Sequence, residues 1–131
     1  MSLQAALVAI KTANSTLNTL VDTRFYPDKL PQKLTLPAVR FQEISSVQSD
    51  AMMPSVVNRR ARVQMDGYAE TSVLRSALRA AMLGAFYGYS GSIAGQTIKS
   101  ILLDNEQSDV ENLNTERESY RVSMDFMVDF I

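Results

Sequence analysis

Cysteine, histidine and tryptophan are all absent from this chain of 131 residues. Without cysteine there is neither a disulfide framework nor a thiolate that acts as a ligand or nucleophile. Enzymes that work near neutral pH most often use histidine, cysteine or carboxylates with shifted pKa values, and the first two are missing. No apolar run approaches the roughly 20 residues of a membrane span. The N-terminus has no basic region ahead of its apolar residues, so we expect a soluble protein made in a cytoplasm.

The length and the 46% apolar content predict one globular domain, residues 1–131, with a substantial core. The net charge of −1 hides an asymmetry. Residues 1–99 carry 11 basic and 6 acidic side chains, whereas residues 100–131 carry 2 and 8. This pattern is consistent with ion pairing inside the fold, and equally with a dipolar subunit that stacks on copies of itself.

The segment from Tyr120 to Ile131 alternates apolar and mixed residues over its whole length. A period of two is typical of a strand with one face on a core. We therefore expect a central strand of one sheet. Its second face carries Met127 and Ile131, which indicates that this face also meets other protein.

Two main helices follow from apolar residues at helical spacing. The first runs from about Leu3 to Ala13 and continues as a short second turn capped by Asn14 or Ser15. The second follows a cap at Thr71 or Ser72 and carries its apolar stripe on residues such as Leu78.

Alternation also predicts strands over 38–45, 57–68 and 97–103, in addition to the final strand. Residues 104–118 hold six carboxylates without apolar periodicity, so we expect a solvated loop there. The fold class is thus α+β, an antiparallel sheet of about four strands with both main helices on one face, in the order helix-strand-strand-helix-strand-strand.

Asp125 and Asp129 are four residues apart on one strand face, or about 13 Å along the strand, which is too far for two carboxylates that share a proton. We expect them to pair with Arg60 and Arg62 across the sheet. Neither the acidic stretch nor the glycines at 88–95 match a calcium loop or a phosphate loop, so no catalytic, metal or cofactor site is expected.

Several residues are candidates for contacts with other protein chains. Met52 and Met53 are adjacent in a polar loop, and methionine adapts to irregular partner surfaces. The full set expected at subunit or partner contacts is Met52, Met53, Arg59, Arg60, Arg62, Met127 and Ile131.

One further pattern spans nearly the whole chain. It consists of Leu3 and Leu7, of Leu17, Leu20 and Val21, and of the segments 24–26, 36–39, 43–45, 62–66 and 120–126. Together these residues resemble the tail completion or tail terminator proteins of tailed phages, which join head to tail. Gly67, where a larger strand residue is expected, and the long loop at 88–95 are departures from the pattern.

The resemblance implies a structural virion protein without catalysis. It implies a ring, typically a hexamer, that ends tail tube assembly and docks the head connector, with DNA passing through the pore without specific binding and no membrane contact. The virion tail or neck is then its location, after synthesis in the bacterial host. An acidic pore lining is expected from Glu106, Asp109, Glu111, Glu116 and Glu118.

Two other functions are consistent with the residues themselves. One is a non-viral α+β binding module that dimerises through a sheet edge. The other is a small hydrolase that uses carboxylates such as Asp66 and Asp125.

Overall fold

The computed structural model describes residues 3–31, 35–48, 59–114 and 117–131. Its helices are α1 (Leu3–Ala13), α2 (Ser15–Val21) and α3 (Ser72–Phe86). Its strands are β1 (Phe25–Pro27), β2 (Ala38–Gln48), β3 (Arg59–Ala69), β4 (Gly91–Ile93), β5 (Gln96–Asn114) and β6 (Arg117–Phe130).

The described strands form one sheet in the order β1-β2-β3-β6-β5-β4, curled into a half-barrel. β2 with β3 and β5 with β6 are antiparallel neighbours, and β3 also pairs antiparallel with β6. β1 pairs with β2 in parallel, so the sheet is mixed. β6 thus has a strand on each side, and its predicted central place is confirmed.

The prediction of four antiparallel strands with two helices is wrong, although the α+β class is correct. Two strands of three residues each, β1 and β4, were left out of that count because such short segments show no measurable alternation. β1 lies beside β2 because its backbone bonds to that strand, with the Val39 N–H donating to the Arg24 carbonyl at 2.9 Å. Whether so short a segment pairs as a strand depends on the tertiary fold, which here places it beside β2.

The predicted acidic loop at 104–118 is also wrong. β5 continues through this stretch to Asn114, and β6 begins at Arg117. Carboxylates on a strand are tolerated where arginines on neighbouring elements neutralise them. Those arginines are distant in the sequence, so the sequence shows only that residues 104–118 are polar, which suggested a loop.

The core lies on one face of the sheet, where β6 contributes Val122, Met124, Phe126, Val128 and Phe130, each at most 5% exposed. α3 packs on this face against β3 and β6, and both α1 and α2 contact α3. Phe86 of α3 stacks at 6.1 Å from Phe25, which ties β1 to the same core.

Side-chain caps define two of the helix starts. The Asn14 carboxamide oxygen accepts from the Leu17 N–H at 3.0 Å, and the Thr71 hydroxyl accepts from the Leu74 N–H at 3.2 Å. Each bond satisfies one of the free N–H groups of a first turn. Both predicted capping positions are confirmed.

Gly67 is small because α3 crosses β3 at this position. A Cβ there would lie 2.9 Å from Leu78 Cδ2, 2.9 Å from Met82 Sδ and 3.2 Å from Val122 Cγ1. Leu78 and Met82 are fully buried, so neither has free space to move into. The absent side chain therefore sets how closely helix and sheet approach.

We expect Gly67→Ala to lower the free energy of unfolding by about 1–3 kcal/mol, because it overpacks the contact between α3 and the sheet. Gly84→Ala is the matched control, since a Cβ at this exposed helical position meets nothing within 4 Å. That change should stabilise the protein by up to about 1 kcal/mol. Urea denaturation of both variants measures this, and a neutral Gly67→Ala would contradict the close approach.

Candidate assembly surfaces

The face of the sheet opposite the core, here called the outer face, carries a set of arginine–carboxylate pairs. Arg60 on β3 binds Asp129 on β6 through two bonds, Nε to Oδ1 at 2.7 Å and Nη2 to Oδ2 at 3.1 Å. Arg62 Nη1 lies 3.5 Å from Asp125 Oδ2 and 2.8 Å from Asp104 Oδ2 of β5. The predicted pairing of the two aspartates with these arginines is confirmed.

These pairs explain the uneven charge distribution along the sequence. Arg60, Arg62 and Arg79 come from the basic part of the chain, and each binds a carboxylate of the acidic part. Of the two interpretations, ion pairing inside the fold accounts for these residues. The bonds to Arg60 hold the pKa of Asp129 below its usual value of 3.8. Arg121 lowers the pKa of Asp109 in the same way.

Asp66 has the environment of a structural carboxylate. Its side chain is fully buried and forms an ion pair with Arg40 of β2, and Gln64 Nε2 donates to it at 3.3 Å. Arg40 also reaches the backbone carbonyl of Asp28 at 3.5 Å. A carboxylate closed off from water and bound to arginine does not meet a substrate, which argues against the hydrolase interpretation of this residue.

The predicted contact residues that the structure describes lie at different places. Arg59 is exposed at the start of β3, and Ile131, 44% exposed, follows β6. Met127 is half-buried on the outer face, between Arg62 on one side and Leu102 on the other. Met52 and Met53 lie outside the described residues.

Leu102 was missed from the sequence because it falls within an apolar run that predicts burial. In the structure it is 51% exposed on the outer face of β5. The register shift between Ile98 and Ser100 lies just before it in this strand. The alternation of buried and exposed side chains along β5 is interrupted at that shift. The sequence alone carries no signal for a register shift.

The structure describes the side chains of two of the five acidic residues expected at a pore. Glu106 binds Arg79 of α3, and Asp109 binds Arg121 of β6 at 2.7 Å. Glu111 and Glu118 lie on β5 and β6 near the end of their hairpin, and their side chains are outside the described set. Glu116 also lies outside the described residues.

One edge of the sheet is long and open. β4 covers β5 only at residues 96–98, and the Gly88 N–H donates to the Ile101 carbonyl at 2.8 Å. Beyond Leu102, no described strand lies on this side of β5 up to Asn114. An edge of this kind presents unpaired backbone groups to other chains.

The opposite edge is open as well, beside a small cavity. β1 covers β2 only at Val39–Phe41, and the described residues leave the rest of β2 without a strand on that side. A cavity of about 220 Å³ lies at this point, between Leu3 of α1 and Glu43 of β2. No pattern in the sequence predicts this cavity, because its walls come from three separate elements.

Within the described residues, no group of three or more carboxylates is placed to hold a metal ion. The helices of that same part of the chain are too short or too polar to cross a membrane.

The family model described as tail completion protein gp17 matches residues 5–128. The chain belongs to this family. Its members are structural proteins of phage tails, so this is a virion protein located in the tail or neck. The family is not known as one of enzymes.

A chain of the virion of a native gene transfer agent (GTA) particle has a similar fold. The two structures superpose with a TM-score of 0.67 at 15% sequence identity, over 98% of this chain and 94% of the other. No curated protein sequence matches this tail completion protein.

We expect Arg60→Gln to raise the pKa of Asp129 toward its usual value, because the bonds that favour the carboxylate are lost. A carboxyl pKa that is lower in the folded state contributes stability above the unfolded pKa, and this is lost as pH falls through the folded value. The variant should therefore lose less stability than the unchanged protein on acidification. Carboxyl NMR titration measures the pKa. Arg59→Gln, which removes the neighbouring charge, is the control, and an unmoved Asp129 pKa would contradict the assignment.

Proposed function

We propose that this tail completion protein forms a ring at the head-proximal end of the tail, where it terminates tail tube assembly and joins the tail to the head connector. A hexamer is the stoichiometry that the family resemblance implies. The observation that carries the proposal is the open edge of β5, together with membership of the family. No catalytic step or cofactor is part of the proposal.

The β5 edge is suited to a protein partner. It is long, and it carries two exposed apolar side chains, Leu102 at 51% and Val110 at 53%. Natural proteins usually shorten, charge or cover such edges, because another chain can pair with them. An edge left open along β5 is consistent with a subunit whose neighbour covers it in the assembly.

A ring requires two different surfaces that meet head to tail, whereas a two-fold dimer pairs one surface with itself. The end of the β5–β6 hairpin carries Glu111, Glu116 and Glu118. Arg59 lies at the other end of the sheet, where it pairs with Phe130. We propose that the hairpin end and β5 edge of one subunit contact the Arg59 end of the next.

The other predicted contact residues divide between the two surfaces in this proposal. Ile131 belongs to the Arg59 end, whereas Met127 lies beside Leu102 and belongs with the β5 edge. Met52 and Met53 belong to the connection from β2 to β3. Arg60 and Arg62 already bind carboxylates of their own chain, so they contribute mainly by holding the outer face in shape.

We expect Leu102→Lys and Val110→Lys to prevent ring formation, because a lysine on an open edge disfavours pairing with another chain. Val73→Lys is the control, since Val73 is 76% exposed and lies on α3 instead of on β5. Light scattering and negative-stain imaging, with and without tail tubes, measure the outcome. Single closed rings from the two edge variants would contradict this role of β5. A stable dimer of the unchanged protein that ignores tail tubes would favour the sheet-edge binding module instead.

The acidic pore lining is also part of the proposal. Glu106 and Asp109 bind arginines of their own chain, so we assign the charge that faces DNA to Glu111, Glu116 and Glu118. Changing Glu111, Glu116 and Glu118 together to glutamine should slow DNA ejection, because negative charge facing DNA repels it. The control pair Glu106→Gln and Asp109→Asn should have less effect. Ejection kinetics of assembled particles test this, and an unchanged rate in the triple variant would contradict a pore location.

A further inference from the structure

The cavity beside β2 has the size of a side-chain pocket. Its volume is about 220 Å³, and its lining is mixed and more polar than apolar: Leu3, Gln4 and Leu7 of α1, Pro27 and Asp28, and Phe41 and Glu43 of β2. Pockets for small molecules usually measure about 300–1,000 Å³. The cavity therefore fits one or two side chains better than a free ligand.

The cavity lies where β1 leaves the edge of β2. The Asp28 N–H still donates to the Phe41 carbonyl at 2.9 Å, and then the chain turns away, with Asp28 at a φ of 65°. Aspartate is among the residues that adopt this left-handed conformation most readily. From Gln42 onward the edge of β2 has no strand beside it in the described residues.

A strand that continued the line of β1 would place a side chain in the cavity. Phe41 and Glu43 are two residues apart on β2, so both side chains lie on the same face of the sheet. Side chains of neighbouring strands on one face lie about 4.5–5.5 Å apart at Cβ. A side chain of the docked strand on this same face would therefore lie beside Phe41 and Glu43, which line the cavity.

The charge at this cavity is unbalanced. The described ion pairs bind six carboxylates to arginines: Asp66, Asp104, Glu106, Asp109, Asp125 and Asp129. Asp28 and Glu43, both exposed, make no ion pair with any described residue. A long basic side chain satisfies this combination, since its aliphatic stem packs on the apolar residues of the lining while its charged head reaches the carboxylates.

We propose that the edge of β2 at 42–46 and the adjoining cavity form a strand-docking site for an extended segment of another tail or neck protein, with a lysine or arginine inserted between Asp28 and Glu43. This is strand addition, in which backbone bonds supply affinity and a pocket supplies specificity.

A second copy of this chain is a poor occupant. Its own open edge, β5 from 102 to 114, contains four acidic residues and neither lysine nor arginine. That edge therefore has no basic side chain to place between Asp28 and Glu43. The docking site also does not depend on ring formation, because the ring contacts proposed above use β5 and the Arg59 end of the sheet.

The first experiment uses two short synthetic peptides with alternating threonine and valine, which differ only in a central lysine or glutamate. Fluorescence anisotropy measures their affinity for the full chain, and hydrogen exchange with mass spectrometry locates the binding. We expect the lysine peptide to bind about tenfold more tightly than the glutamate peptide, because only lysine complements the two carboxylates. Exchange should slow at residues 42–46.

Asp28→Asn combined with Glu43→Gln should abolish the preference for lysine, while Asp22→Asn, which removes a charge outside the cavity, should preserve it. Equal affinities for the two peptides, protection elsewhere in the chain, or no binding at millimolar peptide would each overturn the proposal. Light scattering of the same variants reports ring formation separately, so failure of the docking site is distinguishable from failure of the ring.

A photo-crosslinking residue at Gln4, which also lines the cavity, identifies the occupant in assembled particles. A crosslink to a basic extended segment of a different virion protein supports the proposal. A crosslink to another copy of this chain, or to a segment without lysine or arginine, overturns it.

Discussion

The apolar face of β6 is the constraint on which the rest of this structure depends. It presents five large side chains from Val122 to Phe130, and each contributes about 1.5–3 kcal/mol when it is removed from water. Their sum is on the order of the whole net stability of a domain, about 5–15 kcal/mol, so no stable arrangement leaves this face exposed. β3 and β5 flank the strand, and α3 approaches closely enough that Gly67 admits no side chain. The other two helices then pack on α3.

The outer face follows a different rule, because charge pairs cover it across β3, β6 and β5, and a small cluster of Leu36, Ala38 and Tyr68 is buried beside β1. Ion pairs of Arg60 and Arg62 connect β3 to β6 and β5. The ion pair of Arg40 with Asp66 connects β2 to β3 near β1. The exposed pairs of Arg60 and Arg62 contribute little each, about 0–1 kcal/mol. Their effect is on specificity: a strand slipped by one residue would move these charges onto the core face. The pairs thus select one register for strands that are distant in the sequence.

Both edges of the sheet are open along part of their length. These edges relate the fold to tail assembly, because other chains can pair with an open edge. The two edges differ in character. β5 presents Leu102 and Val110 beside carboxylates that arginines already neutralise, whereas β2 borders a cavity with two carboxylates that no described arginine reaches. Unlike surfaces on one subunit suit unlike partners. A neighbouring copy on one side and a basic segment of another virion protein on the other would satisfy both.

The sequence by itself determined the helices, the two candidates for each cap, the central position of β6 and the partners of Asp125 and Asp129, because these depend on local periodicity and on complementary charge. The resemblance in core residues also indicated the family. Only the tertiary structure decided the mixed six-stranded sheet, the strand in place of the acidic loop, the exposure of Leu102 and the cavity at Glu43. Each of these depends on which distant segments become neighbours: a three-residue strand forms only beside an existing edge, and a carboxylate-rich segment is a strand only where arginines from other elements reach it.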